Sequence, residues 1–359
     1  MPTFFFSKVV PGGNPTLILH EPKIKADSLG GLSAELMHPM HLQAEQVGAL
    51  YLAGRDVPFL AMMGGEFCVN ATRSAAMLLA GMGRLRAFMP APIEKPQGDL
   101  LSQTGASGRQ KRLCWRGSIL VSGMPNPLDV LVCPDEESFR ACIEPGNTPP
   151  DTACAPAKQP VAGAPVTDAP SCPHSDSLFW PEEMPTTLYS AARVACPPSS
   201  ILFRDLDEGL CLVHMPGMAH LLVDAERHGL PDITNESWKE ASASWRGQCG
   251  ISGAPASGVV WFRKEHGRYS LWPAVEVRAS ASEHMETACG SASLALALME
   301  RRNKSREATT CAAAVEITQP SGQSLLIALP PDKGQSESAS ATAWIGGETR
   351  LVAQGRAHL

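Results

Sequence analysis

Cys-x-x-Cys pairs are missing from this 359-residue chain, although it holds 11 cysteines. An odd number at scattered spacings argues against a disulfide or zinc scaffold and for a reduced, cytoplasmic protein. Also missing is any apolar run near the roughly 20 residues that cross a bilayer. The opening Met1-Pro2-Thr3-Phe4-Phe5-Phe6-Ser7-Lys8 has neither the basic lead nor the apolar length of a signal peptide. Basic excess is absent too: the net charge is −6, so neither nucleic acid nor a membrane is an expected partner. What remains is 44% hydrophobic and 18% charged, a globular composition long enough for two domains.

Two of the cysteines share one local setting. Gly65-Glu66-Phe67-Cys68-Val69-Asn70-Ala71-Thr72 and Met285-Glu286-Thr287-Ala288-Cys289-Gly290-Ser291-Ala292-Ser293 both read Cys-x-[Asn/Ser]-Ala-[Thr/Ser], then turn Ala/Leu/Met-rich. Small polar residues ahead of strong helix formers mark a helix N-terminus. A free thiol with a pKa of about 8.5 is only roughly 3% thiolate at neutral pH. Bringing it near half ionisation takes roughly 2 kcal/mol at about 1.36 kcal/mol per pKa unit. A partly buried helix N-terminus supplies roughly 0.3–2 kcal/mol, and its free N–H groups suit a carboxylate. Two such helices facing one pocket offer a thiolate, a thiol and an anion clamp, which suits moving a proton across a carbon beside a carboxylate. The alternative is two small buried residues where helices approach closely.

Short strands are expected at Phe4–Val10 and Thr16–His20, around the turn-rich Pro11-Gly12-Gly13-Asn14-Pro15. Leu42–Ala53 reads as helical or mixed, Phe59–Met63 as a strand, and Ser74–Leu85 as the first helix. Further strands are expected at 113–121, 129–133, 200–203, 210–214, 220–223, 258–262 and 274–278, then a second helix over Ser293–Arg302. Strands follow at 312–318 and 324–329, and two separate ones at 338–346 and 349–358. Between about 144 and 177 the chain is rich in Pro, Ala, Thr and Ser, the composition of a flexible insertion. Cys154, Cys172 and His174 lie within it, the first two with no expected catalytic part and the third a weak metal candidate. Each half thus carries strands and one cysteine-led helix, an α+β pair with a site between.

These residues resemble the diaminopimelate epimerase-like family, and within it the cofactor-independent histidine racemases of staphylopine-type opine metallophore biosynthesis. The likeness rests on Phe6-Ser7-Lys8, Pro11-Gly12-Gly13-Asn14, Glu45-Gln46-Val47-Gly48, the two cysteine segments, Gln319-Pro320-Ser321-Gly322 and Gly355-Arg356-Ala357. It implies two pseudo-repeated domains, each a barrel-like sheet round a central helix. The first is expected over 1–125 with a returning strand at about 345–359, the second over 126–344. It implies an isomerase, a racemase with Cys68 and Cys289 as acid–base pair and no metal or pyridoxal phosphate. By the same resemblance Asn14, Asn70, Gly290 and Ser291 hold substrate, while Glu45 and Glu286 pair with a substrate cation or orient a thiol. Helix-start or solvated carboxylates are the alternative for both glutamates. Val69 and Ala292 stand where the family has glycine, beside amides expected to face the ligand. His220 reads as a packed strand histidine. The resemblance further implies an amino-acid substrate and two pathway partners, an aminobutyrate transferase and an opine dehydrogenase, and leaves a homodimer open. Another amino acid on the same scaffold, or a non-catalytic thiol-rich binding protein, are the competing functions.

Overall fold

The structure is a computed structural model that describes residues 3–22, 29–38, 41–90, 113–143, 180–196, 198–278, 282–306, 314–330 and 342–358. The expected insertion at 144–177, with Cys154, Cys172 and His174, lies outside them.

Eight strands close a ring in the first half. They are β1 (Thr3–Pro11), β2 (Thr16–His20), β3 (Gln46–Tyr51), β4 (Phe59–Met62), β6 (Cys114–Val121), β7 (Leu128–Cys133), β8 (Thr187–Ala195) and β17 (Thr342–His358), with the short β5 (Arg86–Phe88) hung on β6. From β1 to β8 the pairings run antiparallel, parallel, antiparallel, parallel, antiparallel, antiparallel, and β17 joins β8 back to β1. The second half repeats that order through β10 (Leu210–Met215), β11 (Met218–Asp224), β12 (Ala256–Glu265), β13 (Arg268–Val277), β15 (Ala314–Thr318), β16 (Ser324–Ala328) and β17. There β8 and β9 (Leu202–Asp207) together complete the circuit from β17 to β10. The expected boundary at 125/126 falls between β6 and β7, neighbours in the first ring.

Three helices matter most for this architecture. Through the first ring runs α2 (Val69–Gly81), which touches all eight of its strands. Every residue from Val69 to Ala80 is buried, as in a helix enclosed on all sides, and its alanines let strands approach closely. Four polar residues interrupt it, Asn70, Thr72, Arg73 and Ser74, and one of them is charged. Arg73, fully buried, donates from Nε to Ser190 O at 3.0 Å and from Nη2 to Glu348 O at 3.0 Å, so its charge is not left unsolvated. The counterpart α6 (Gly290–Arg306) runs through the second ring against β10, β11, β16 and β17. On the outside of that ring lies α5 (Ser237–Cys249).

Two expectations are corrected. Leu42–Ala53 holds a strand, not a helix: Gln46–Tyr51 pairs with β2 and β4 on either side and is buried almost throughout. A strand buried on both faces shows no alternation to read. The two strands expected at 338–346 and 349–358 are one, β17, which runs unbroken through Gly346-Gly347 and serves both rings.

Candidate active site

Both cysteines open their helices as expected. Cys68 is the N-cap of α2, and its sulfur accepts from Ala71 N at 3.4 Å. Thr72 locks that turn, its N and Oγ1 donating to Cys68 O at 3.0 and 2.7 Å. In α6, Ser293 does the same to Cys289 O at 3.1 and 2.7 Å. The two N-termini meet: a Cβ added to Gly290 would lie 2.7 Å from that of Val69.

One small cavity of about 50 Å³ receives both cysteines. It also brings together Glu45, Val69, Asn70, Glu286, Gly290 and Ser291 from the expected set. Asn14 is not among its lining residues; it is wholly buried one layer back, donating to Glu45 Oε2 at 2.7 Å. Glu45 in turn accepts from Thr287 Oγ1 at 2.7 Å and Thr287 N at 3.2 Å, which fixes the approach to Cys289. Asn70 donates to Ala288 O at 2.8 Å, leaving its buried Oδ1 without a partner among the described residues. Ala292 is corrected: it faces the second-half core, not the cavity. His220 is fully buried on β11, its Nε2 3.0 Å from Ser291 Oγ, which lies 3.4 Å from Cys289 Sγ.

A relay that the sequence reading missed leads from Cys68 along the cavity. Cys68 Sγ donates to Gln46 Oε1 at 2.7 Å, and Gln46 Nε2 donates to Glu286 Oε1 at 3.3 Å. Glu286 stands near the Cys289 thiol and raises its pKa, while the hydroxyl of Ser291 lies 3.4 Å from that sulfur. Gln46, the first residue of β3, appeared only inside a matching stretch; its pairing with Cys68 depends on β3 lying beside α2. Gln319, also quoted only within a stretch, accepts from Cys289 N at 2.9 Å.

Electrostatics here run against the expected thiol acidity. Burial pushes both thiols above the ordinary range, outweighing the helix amides at Ala71 and Ala292; Glu286 adds to the rise at each. Burial also raises Glu45 and Glu66, and it raises Glu286 to about 7 with help from the other two. Three carboxylates held against ionisation round one cavity favour a cation there. A wider apolar cavity of about 260 Å³ adjoins it, sharing Glu66, Phe67, Val69, Met218, Val277 and Ser291.

Comparison with known proteins agrees with this geometry. Residues 3–93 match the family model described as the histidine racemase CntK N-terminal domain. Two histidine racemases of Fusobacterium nucleatum subsp. nucleatum strains are each 44% identical over 75 residues, which is 21% of this chain. The match spans only 27% and 26% of their lengths. Over the whole length, a hydroxyproline epimerase from Agrobacterium vitis with bound trans-4-OH-L-proline superimposes with TM-score 0.54 at 11% identity, covering 99% of this chain and 92% of that one. A probable proline racemase from Agrobacterium radiobacter gives TM-score 0.54 at 10% identity, with the same 99% and 92% coverage. The chain therefore has the diaminopimelate epimerase-like fold, and its first quarter is similar in sequence to the histidine racemases.

Proposed function

We propose that this protein is a cofactor-independent amino-acid racemase that interconverts L- and D-histidine through Cys68 and Cys289. One observation carries this reading: two cysteines, each leading a helix, line one cavity, with Gln46 and Glu286 hydrogen-bonded in line from Cys68 along the same cavity. A substrate ammonium meets Asn70 Oδ1 and the raised carboxylates, and its carboxylate meets the helix N-termini. Transfer of the Cys289 proton to ionised Glu286 is uphill without substrate and becomes accessible when a substrate cation offsets the thiolate, so a thiolate and a thiol coexist with no change in the charge of the site. The Cys289 thiolate removes the Cα proton from one face and the Cys68 thiol returns one to the other; the reverse reaction exchanges these roles. An imidazole side chain, neutral or cationic, is compatible with Glu66 at the junction of the two cavities.

The adjoining cavity, lined by Val194, Ile201, Met215 and Leu294, favours a second reading, an amino acid with a larger apolar side chain. Among the described residues no helix is long and apolar enough to cross a membrane. A cytoplasmic setting beside an aminobutyrate transferase and an opine dehydrogenase belongs to the same proposal.

The deciding experiment incubates the protein with L-histidine in deuterium oxide, free of metal and pyridoxal phosphate. Accumulation of D-histidine deuterated at Cα is the expected result. Absence of D-histidine, with another amino acid racemised from the same panel, selects the second reading. No exchange with any amino acid removes the enzymatic reading altogether.

A further inference from the structure

A second group of cysteines, outside this cavity and in a separate core cluster, converges without any spacing that announces it. Cys114 opens β6 and Cys133 ends β7; the register Trp115↔Val132 puts the two side by side. Cys142 comes from α3 (Glu136–Ile143), which packs against β7. Their three sulfurs lie within 4.8 Å of one another. Relative exposures of 0%, 0% and 5% seal them among Leu131, Phe139, Ile143 and Trp344. None of the three lines the cavity of Cys68 and Cys289.

We propose that Cys114, Cys133 and Cys142 form a buried three-sulfur site for one soft cation, of the Cu(I) class. Trigonal coordination with metal–sulfur bonds of about 2.3 Å needs sulfurs roughly 4 Å apart, which fits the observed spread. Soft thiolates select Cu(I), Zn(II) or iron–sulfur clusters. Structural zinc takes four ligands, and among the described residues the group holds three. A cation that accepts three sulfurs matches the donor set as it stands.

Charge supports the assignment. Arg116, two residues beyond Cys114 on the same strand face, has a buried Nε without a partner among the described residues. Its Nη2 reaches Asp129 at 3.3 Å. On binding, the cation displaces the thiol protons to solvent, and neither copper nor sulfur changes oxidation state. The bound ion would pin α3 to the sheet.

The test titrates the full chain, reduced and metal-free, with anaerobic Cu(I) buffered by a chromophoric chelator. One tight equivalent is expected in the wild type and in a Cys68→Ser/Cys289→Ser double variant, and loss of that equivalent in Cys142→Ser. X-ray absorption of the wild type at one equivalent requires no variant and should count three sulfur neighbours. Equal uptake by Cys142→Ser, two sulfurs or a nitrogen in the copper shell, or a Cys114–Cys133 disulfide formed in place of uptake overturns the proposal.

Discussion

The two rings share one order of strand pairings, yet differ where each is crossed by a strand from the other half. In the first, β17 passes unbroken from β8 to β1. In the second, the same passage is split between β8 and β9, and Val194, Ala195, Cys196 and Ile201 at the break line the larger apolar cavity. The cysteine-led helices differ in the same sense. Each has a hydroxyl residue four positions on that bonds the cysteine carbonyl, Thr72 or Ser293. Around the sulfurs the likeness ends: Cys68 has an amide, Gln46, and Cys289 has a carboxylate, Glu286. A repeated backbone thus supplies the position of two sulfurs, and unlike partners surround them. The chemistry is symmetric only in outline.

Removing either sulfur gives the largest expected effect. Cys68→Ser and Cys289→Ser should each lower racemisation by about 10²–10⁴-fold, the usual weight of a general acid or base. The halves should then separate in one-face exchange. With Cys289 and its carboxylate intact, Cys68→Ser should still wash the Cα proton of one enantiomer into deuterium oxide. Cys289→Ser, left with the amide-held thiol, should exchange the other enantiomer more slowly. Equal exchange rates in the two variants, read by NMR, would mean that Gln46 and Glu286 do not distinguish the sulfurs.

Glu286→Gln makes the two surroundings alike, and its effect has a pH signature. The carboxyl is held at about 7 against an ordinary 4.5, so the fold favours the protonated form. That contribution to stability is full below about pH 4.5 and is lost as pH rises through about 7. At about 1.36 kcal/mol per unit it amounts to about 3 kcal/mol. Unfolding followed by denaturant across this window should show a shallower fall for Glu286→Gln, with Glu45 and Glu66 supplying the remaining slope. The activity should drop by about 10²-fold or more and lose its acid limb near neutrality. An unchanged limb would place the ionisation elsewhere.

Much of this was legible from the chain because the two cysteine segments repeat each other within a few residues. Helix N-termini are local devices, so Cys68 and Cys289 could be read without a fold. Gln46 could not: it meets Cys68 only because β3 lies beside α2. The buried face of α5 was hidden for another reason. It consists of Trp238, Ser242, Arg246 and Cys249, and a buried arginine paired with Glu276 at 3.2 Å and with Glu283 does not read as an apolar stripe. Cys114, Cys133 and Cys142 looked scattered because their approach is made by sheet register, which spacing does not encode.

The smallest effect concerns the contact between the halves. Val69, 4% exposed, stands against Gly290, so a side chain at 290 would meet its Cβ at 2.7 Å and Cγ1 at 2.8 Å. Gly290→Ala should therefore cost about 1–3 kcal/mol by overpacking. Val69→Gly should cost about 1–2 kcal/mol, through a lost buried isopropyl group and a looser first turn. Together they should cost less than their sum, because the new methyl enters the space the valine leaves. A double-mutant cycle by chemical denaturation should give a coupling of about 1 kcal/mol or more. Strict additivity would mean that the helix N-termini do not meet there, and that the shared cavity of the two sulfurs lacks the floor these two residues supply.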